Sequence, residues 1–171
     1  MTLQTLRVPG ALFLAALGFQ AGLAAEAPYR RRLQSLKGWV RALARVESEI
    51  RHGHRDLAAA VRLAARDAPE QVAGALTAFA ETVGETVPTA VLWARAVASD
   101  ADLLNLDREV LEAVGPVLGR YAPEEQGRHL EQARMALSRL EAEADAALRA
   151  RGRALRVLMG LGGAALAVLV V

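Results

Sequence analysis

Two runs without a single charged side chain, 8–25 and 157–171, stand near the two ends of this 171-residue chain, and they limit where a folded domain can lie. As a helix the first run rises about 27 Å at about 1.5 Å per residue, close to the roughly 30 Å of a bilayer's hydrocarbon core. The second gives only about 22 Å. It becomes a workable span when the stems of Arg153 and Arg156 lie in the apolar zone with their heads at the interface. Arginine marks both runs: Arg7 and the run Arg30, Arg31, Arg32 flank the first, and Arg149, Arg151, Arg153 and Arg156 precede the second. Taking away those eight guanidiniums lowers the formal net charge by eight, from +2 to −6. The middle of the chain is therefore acidic, and the excess arginine faces lipid phosphate rather than nucleic acid.

This pattern predicts an N-terminal membrane anchor over 1–27, a cytoplasmic helical domain over 28–152 and a C-terminal membrane segment over 153–171. Lys and Arg beside an apolar run stay on the cytoplasmic side, which puts the middle domain there. The competing reading is an exported helical binding module: Ala25-Glu26-Ala27 fits a small-x-small site for cleavage of a signal peptide. That reading leaves the second apolar run without a purpose. With no cysteine in the chain, disulfide and thiolate chemistry are excluded.

Between the apolar runs, hydrophobic residues recur at helical spacing, and no alternating β-branched run argues for a strand. Leu33, Leu36, Val40, Leu43, Glu47 and Ile50 form one stripe that Gly53 ends. A second helix is expected over 56–67 with Asp56 as its cap and Leu57, Val61 and Ala64 inward. Pro69 opens a third carrying Val72, Leu76, Phe79 and Val83. Pro88, after Thr86 as a cap, opens a fourth carrying Leu92, Trp93 and Val97. Residues 99–102 form a polar break. A fifth helix from Asp107 presents Val110, Leu111 and Val114 until Pro116 stops it. The sixth begins near Pro123 with Glu124 and Glu125 in its positive first turn. Nothing interrupts its pattern through Leu130, Leu137, Leu140, Ala144 and Leu148, so it continues into the C-terminal segment. The expected fold is all-α: an antiparallel six-helix bundle flanked by N- and C-terminal membrane helices, the last bundle helix being continuous with the C-terminal one.

No chemistry announces itself. The chain has no G-x-x-x-x-G-K-S/T phosphate cradle, no H-E-x-x-H and no G-x-S-x-G, so neither catalytic residues nor a cofactor or metal is expected. His52 and His54 flank Gly53 and, with His129, are the three imidazoles. Two apart on a turn, His52 and His54 read as helix-end surface residues rather than zinc ligands. Glu47 and Glu49, also two apart, cannot share a helix face. Glu47 interrupts the apolar stripe and calls for an arginine from a neighbouring helix, with Arg62 or Arg128 as candidates. Trp39 and Trp93 read as core or bundle-edge aromatics.

Four stretches carry a resemblance along essentially the whole chain: R-V-E-S-E-I-R-H-G (45–53), D-L-A-A-A-V-R-L-A (56–64), W-A-R-A-V (93–97) and V-L-G-R-Y-A-P-E-E-Q-G-R-H-L-E-Q-A-R-M-A-L-S-R-L (117–140). In their order and spacing, between an N-terminal and a C-terminal anchor, they resemble the stage III sporulation protein AB family of endospore-forming bacteria. The chain departs from the family at His52, where an aromatic is usual, at Asp56, where Pro is commoner, and at Tyr121 and Ala122, where a Ser-Asp pair is usual. The resemblance implies a non-enzymatic membrane component of the secretion-like channel complex between mother cell and forespore, similar to the inner-membrane platform protein of type II secretion and type IV pilus systems. It further implies a bundle in mother-cell cytoplasm on the membrane around the forespore. The expected partners are membrane lipids, a secretion-type ATPase and ring-forming proteins of the same complex, with assembly into a homo-oligomer left open. Glu47, Glu49 and Gly53 are the candidate partner interface, because they depart from simple core patterning and match the family pattern.

Overall fold

The structure is a computed structural model. It describes the backbone of residues 4–53 and 55–170 and, among these, the side chains of 26–53 and 55–154. Its elements are α1 (Gln4–Arg51), α2 (Leu57–Arg66), α3 (Glu70–Thr82), α4 (Thr89–Ala98), α5 (Asn105–Glu112), a 3₁₀ turn (Gly115–Val117) and α6 (Pro123–Val170). Six α-helices and no strand occur among the described residues. Both apolar runs fall outside the described side chains, and so do the membrane helices expected there. Among the described residues no helix is long and apolar enough to cross a membrane.

The chain divides into two compact units, Met1–Arg30 with Asp145–Val171, and Arg31–Ala144. In the first, Arg30 donates to Glu26 at 2.7 Å, the Arg151 guanidinium lies 3.8 Å from the centre of the Tyr29 ring, and Arg149 pairs with Asp145. The sequence places a boundary at Pro28, yet α1 runs through it without a break. Proline has no N–H to give to the carbonyl four residues earlier. The i,i+4 pair Glu26–Arg30 brackets Pro28 and supports the turn that follows the missing bond.

The second unit packs the middles of the helices around three aromatics. Trp39 and Trp93 meet edge to face with centroids 5.7 Å apart, and Phe79 meets Trp93 the same way at 5.0 Å. All three are buried with Leu36, Leu43 and Val46 of α1, Val61 of α2, Leu76 of α3, Leu111 of α5 and Leu130 and Leu137 of α6. The Trp93 indole N–H reaches the Leu111 carbonyl at 2.6 Å, so a polar handle is satisfied inside the core. Both tryptophans are core, as one of their two expected placements has it. Val40 is only half-buried, because Trp39 and Val46 take the centre of the α1 face, and Leu57, at the first position of α2, is half-buried beside the hollow at Gly119.

Local signals act largely where the sequence places them. Asp56 caps α2 by accepting from the Ala59 N–H at 2.6 Å. Pro69 and Pro88 stand one position before α3 and α4, and Thr86 contributes no cap: the Pro88 carbonyl accepts from Leu92 instead. Helix α5 starts two residues before Asp107, whose carboxylate accepts from the Leu104 N–H at 2.9 Å. Pro116 lies in the 3₁₀ turn rather than kinking α5.

Candidate functional site

Where α1 ends beside the start of α6, charged side chains form a lattice. Glu47 holds Arg51 one turn on at 2.9 Å and Arg134 of α6 at 3.6 Å, and Arg51 also reaches Glu131 at 3.4 Å. These contacts run α1 and α6 antiparallel, the higher α1 number meeting the lower α6 number. The arginine from a neighbouring helix is thus Arg134, and neither Arg62 nor Arg128, both exposed, pairs with Glu47. Helix register decides it: Arg134 lies one turn from Leu130 and Leu137 on the α6 face that packs on α1.

Glu49 turns the other way, to Arg45 at 3.3 Å and Arg55 at 2.9 Å. Two glutamates two residues apart thereby hold different partners, as their spacing requires. Gly53 accommodates this, since a Cβ there would stand 2.6 Å from Glu49 Oε2 and 2.8 Å from its carbonyl oxygen. Gly127 does the same for Arg51: a Cβ on it would fall 1.9 Å from Arg51 Nε. The arginine therefore lies against bare backbone of α6. Nothing in the sequence pattern of α6 marks Gly127 except its place, seven residues before Arg134 on the same side of the helix.

Next to the lattice, the turn into α6 is closed by one side chain. Gln126 is buried and accepts from Gly119 N–H at 2.9 Å while donating to the Tyr121 carbonyl at 2.6 Å. Gly119 has φ +70°, which favours glycine. A hollow of about 320 Å³ lies there, lined by Ile50, Arg55, Asp56, Leu57, Gly119, Pro123 and Gln126.

At the other end of the same bundle two carboxylates are buried. Asp107 receives Arg32 bidentately, Nε and Nη2 each at 2.8 Å, besides the Leu104 N–H. That bonding raises the Arg32 pKa above its ordinary value, with burial opposing it. Asp100 accepts from Ser35 Oγ, from Trp39 Nε1 at 3.0 Å and from the Asp102 N–H at 3.0 Å. These donors to its carboxylate are neutral, while the Arg108 guanidinium donates to the Asp100 main-chain carbonyl at 3.0 Å. The 99–102 break is therefore polar because its first carboxylate is a core ligand for Trp39, a role that no periodicity reveals. Ser35, buried on the α1 face next to Leu36, is the one sequence cue.

Of the basic residues expected to flank lipid, Arg32 is committed to Asp107, Arg30 to Glu26, Arg149 to Asp145 and Arg151 to the Tyr29 ring. Arg31 and Arg153 are exposed, and Arg156 lies outside the described side chains. His52 and His129 are exposed and His54 lies outside the described residues. Among the described residues no group of three acidic or imidazole side chains is placed to hold a metal ion. The lattice consists of carboxylates already matched with guanidiniums, an arrangement that fixes shape and presents charge in a set pattern.

Comparison with known proteins bears on the whole length. The sequence model of the stage III sporulation protein AB family matches residues 7–171. The chain is 26% identical over 161 residues to the stage III sporulation protein AB of Bacillus subtilis strain 168, covering 92% of each. A solved structure of a stage III sporulation protein AB superposes with a TM-score of 0.62 at 25% identity, over 70% of this chain and 97% of that one.

Proposed function

The chain belongs to the stage III sporulation protein AB family, and from that premise we propose that it acts in sporulation as a non-enzymatic membrane platform. In this reading the Arg31–Ala144 bundle faces mother-cell cytoplasm from the membrane around the forespore. The runs 8–25 and 157–171 anchor it, and it serves the secretion-like channel complex between the two cells. The observation that carries the reading is the match from residue 7 to residue 171, which includes both apolar runs and the bundle between them. Two further features support it: arginine clusters flank each run, and α6 is one helix from Pro123 to Val170, suited to passing displacement along its length.

The lattice of Glu47, Glu49, Arg51, Arg55, Glu131 and Arg134 with Gly53 is the surface offered to a partner, the secretion-type ATPase or a ring-forming protein of the same complex. Its charges are oriented by one another before any partner arrives, which lowers the cost of ordering them on binding. Epitope tags at both termini, probed in intact and permeabilised cells, test the topology together with carbonate extraction. The expected result is membrane association that resists carbonate, both tags on the side opposite the bundle. A mature protein beginning near Pro28 and recovered in the soluble fraction would mean an exported binding module instead.

A further inference from the structure

Charge is divided unevenly within the Arg31–Ala144 unit. Residues 31–66, the bundle part of α1 together with α2, carry nine Lys or Arg against three Asp or Glu, a formal net charge of +6. Residues 67–144 carry six against fourteen, a formal net charge of −8. Part of this division is neutralised inside the unit, by Arg32 on Asp107 and Arg51 on Glu131. The rest faces outward. Lys37, Arg41, Arg62 and Arg66 are exposed and meet no carboxylate among the described residues, while Glu70, Glu81, Glu85, Glu109 and Glu112 are exposed and meet no cation there.

On the basic side a hollow of about 390 Å³ opens between α1 and α2, walled by Ala42, Ala44, Ala64 and Ala68 and edged by Arg41 and Arg45. Asp67 also edges it and pairs with neither arginine. Arg45 leans back on Glu49 at 3.3 Å, whereas Arg41 gives only its Nε N–H, to the Lys37 carbonyl at 3.2 Å. On the acidic side Leu104 and Leu106 are each 55% exposed around exposed Asn105, with Glu109 one turn on from Leu106 and Glu112 one turn further. This knuckle is pinned, because buried Asp107 accepts the Leu104 N–H at 2.9 Å and Arg32 Nε at 2.8 Å on one oxygen. Arg108, the cation of α5, turns inward to the Asp100 carbonyl. Knuckle and hollow are thus complements: each has an apolar centre, and their charged rims are of opposite sign.

The two surfaces face away from one another. Arg32, which holds the knuckle, and Arg41, at the edge of the hollow, are nine residues apart on α1, about two and a half turns, so they leave the helix on opposite sides. A copy that inserts its knuckle into a neighbour's hollow keeps its own hollow open for the next. Such a contact is head-to-tail and adds copies in one sense, closing as a ring or growing as a filament.

We propose that the Leu104–Leu106 knuckle of one copy seats in the α1–α2 hollow of the next, with Glu109 against Arg41, so that the bundle assembles head to tail through surfaces it carries itself. The occupant is a second copy because one folded unit presents both complements on separate sides. The inference draws neither on the membrane reading nor on the lattice at Glu47, whose carboxylate is already matched.

The test uses the full chain in detergent micelles, its mass followed by sedimentation velocity over a concentration series. The parent chain is expected to form species larger than a dimer, which dissociate as added salt shortens the Debye length below about 10 Å. Arg41→Glu and Glu109→Arg alter exposed side chains that hold no ion pair among the described residues. Each alone should weaken association at least about tenfold, since like charges then oppose one another. An equimolar mixture of the two should regain the parent's association, because the reversed edge of one variant meets the reversed knuckle of the other. Cysteine offers an independent check, as the chain has none. A chain with Leu106→Cys should form a disulfide with one bearing Ala68→Cys and not with one bearing Thr77→Cys at an exposed position of α3. A parent chain that stays monomeric leaves the knuckle to lipid or to another protein and overturns the proposal. Oligomers unchanged in both charge variants are built by the apolar runs or by another surface, and overturn it as well. So does a dimer that grows no further, or disulfide trapping at 77 equal to that at 68.

Discussion

Arg32 and Asp107 show how far a single residue can be misjudged from its neighbours in sequence. In the run Arg30, Arg31, Arg32 the third arginine reads as one more lipid-facing charge, yet its half-buried guanidinium forms a fork on a fully buried carboxylate 75 residues away. Removing one member of a buried pair leaves the other desolvated and unmatched, a loss of about 3–5 kcal/mol. Asp107→Ala and Arg32→Ala should each lower the unfolding free energy of the full chain by that order, read from the shift of the denaturant midpoint at unchanged m-value. Arg32→Lys should recover little, since an ammonium cannot supply two parallel bonds. A double variant losing less than the sum of the single losses identifies the pair as the cause. Glu47 belongs to a different regime: its side chain is 12% exposed but its partners Arg51 and Arg134 are 25% and 34% exposed. Glu47→Ala is expected to cost only about 1 kcal/mol. The same substitution at Glu47 and Glu49 together should weaken partner pull-down well beyond that loss of stability. Pull-down unchanged by both would remove this lattice from the interface.

At the level of elements, the apolar stripes, the Asp56 cap and the two proline-led helices are legible from spacing alone, because they are set by neighbours within one or two turns. What the sequence hides is set by the other helices. The α1 stripe reads with Val40 on its inner face, but Trp39 displaces it by finding Trp93 and the Asp100 carboxylate. Glu47 signals a partner without saying which, because the choice between Arg62, Arg128 and Arg134 depends on how α1 and α6 are registered. Gly127 is silent for the same reason: its lack of a side chain matters only because Arg51 of another helix lies across it. That dependence makes a prediction with a sign in it. In the parent chain Gly127→Ala drives a methyl into the Arg51 guanidinium, displaces it from Glu47 and Glu131, and should be neutral or destabilising by up to about 1 kcal/mol. In an Arg51→Ala background the obstacle is gone, and alanine's helix preference over glycine should make the same change stabilising by about 0.5–1 kcal/mol. Thermal unfolding of the four variants measures the reversal. Two changes of equal sign would mean that Arg51 does not lie where the lattice puts it.

For the molecule as a whole, the two longest helices are also the two that bear residues of both compact units, so each is a route by which the units influence one another. In α6 the sequence from Glu124 onward contains no proline, and the glycine nearest the second apolar run is Gly152, which like Gly127 costs about 1 kcal/mol in a helix interior. The chain tolerates that cost with Gly152 opposite Glu26, a Cβ there standing 3.8 Å from the carboxylate. If the platform works by displacement carried along α6, continuity at Gly152 matters more than stability there. Inserting Gly-Gly-Ser-Gly at Gly152 should leave the unfolding transition of the Arg31–Ala144 unit in place, since no core residue of that unit lies beyond Ala144. It should nevertheless abolish sporulation in a strain relying on this chain. A four-residue helical insert, Ala-Ala-Glu-Ala, separates continuity from length: it extends the helix by about 6 Å while keeping it unbroken, and should restore part of the spore count. Normal spore counts with the flexible insert would mean that α6 transmits nothing and that its unbroken run serves only to anchor the bundle. Equal loss with both inserts would locate the requirement in the fixed spacing between bundle and membrane segment, with helix stiffness irrelevant.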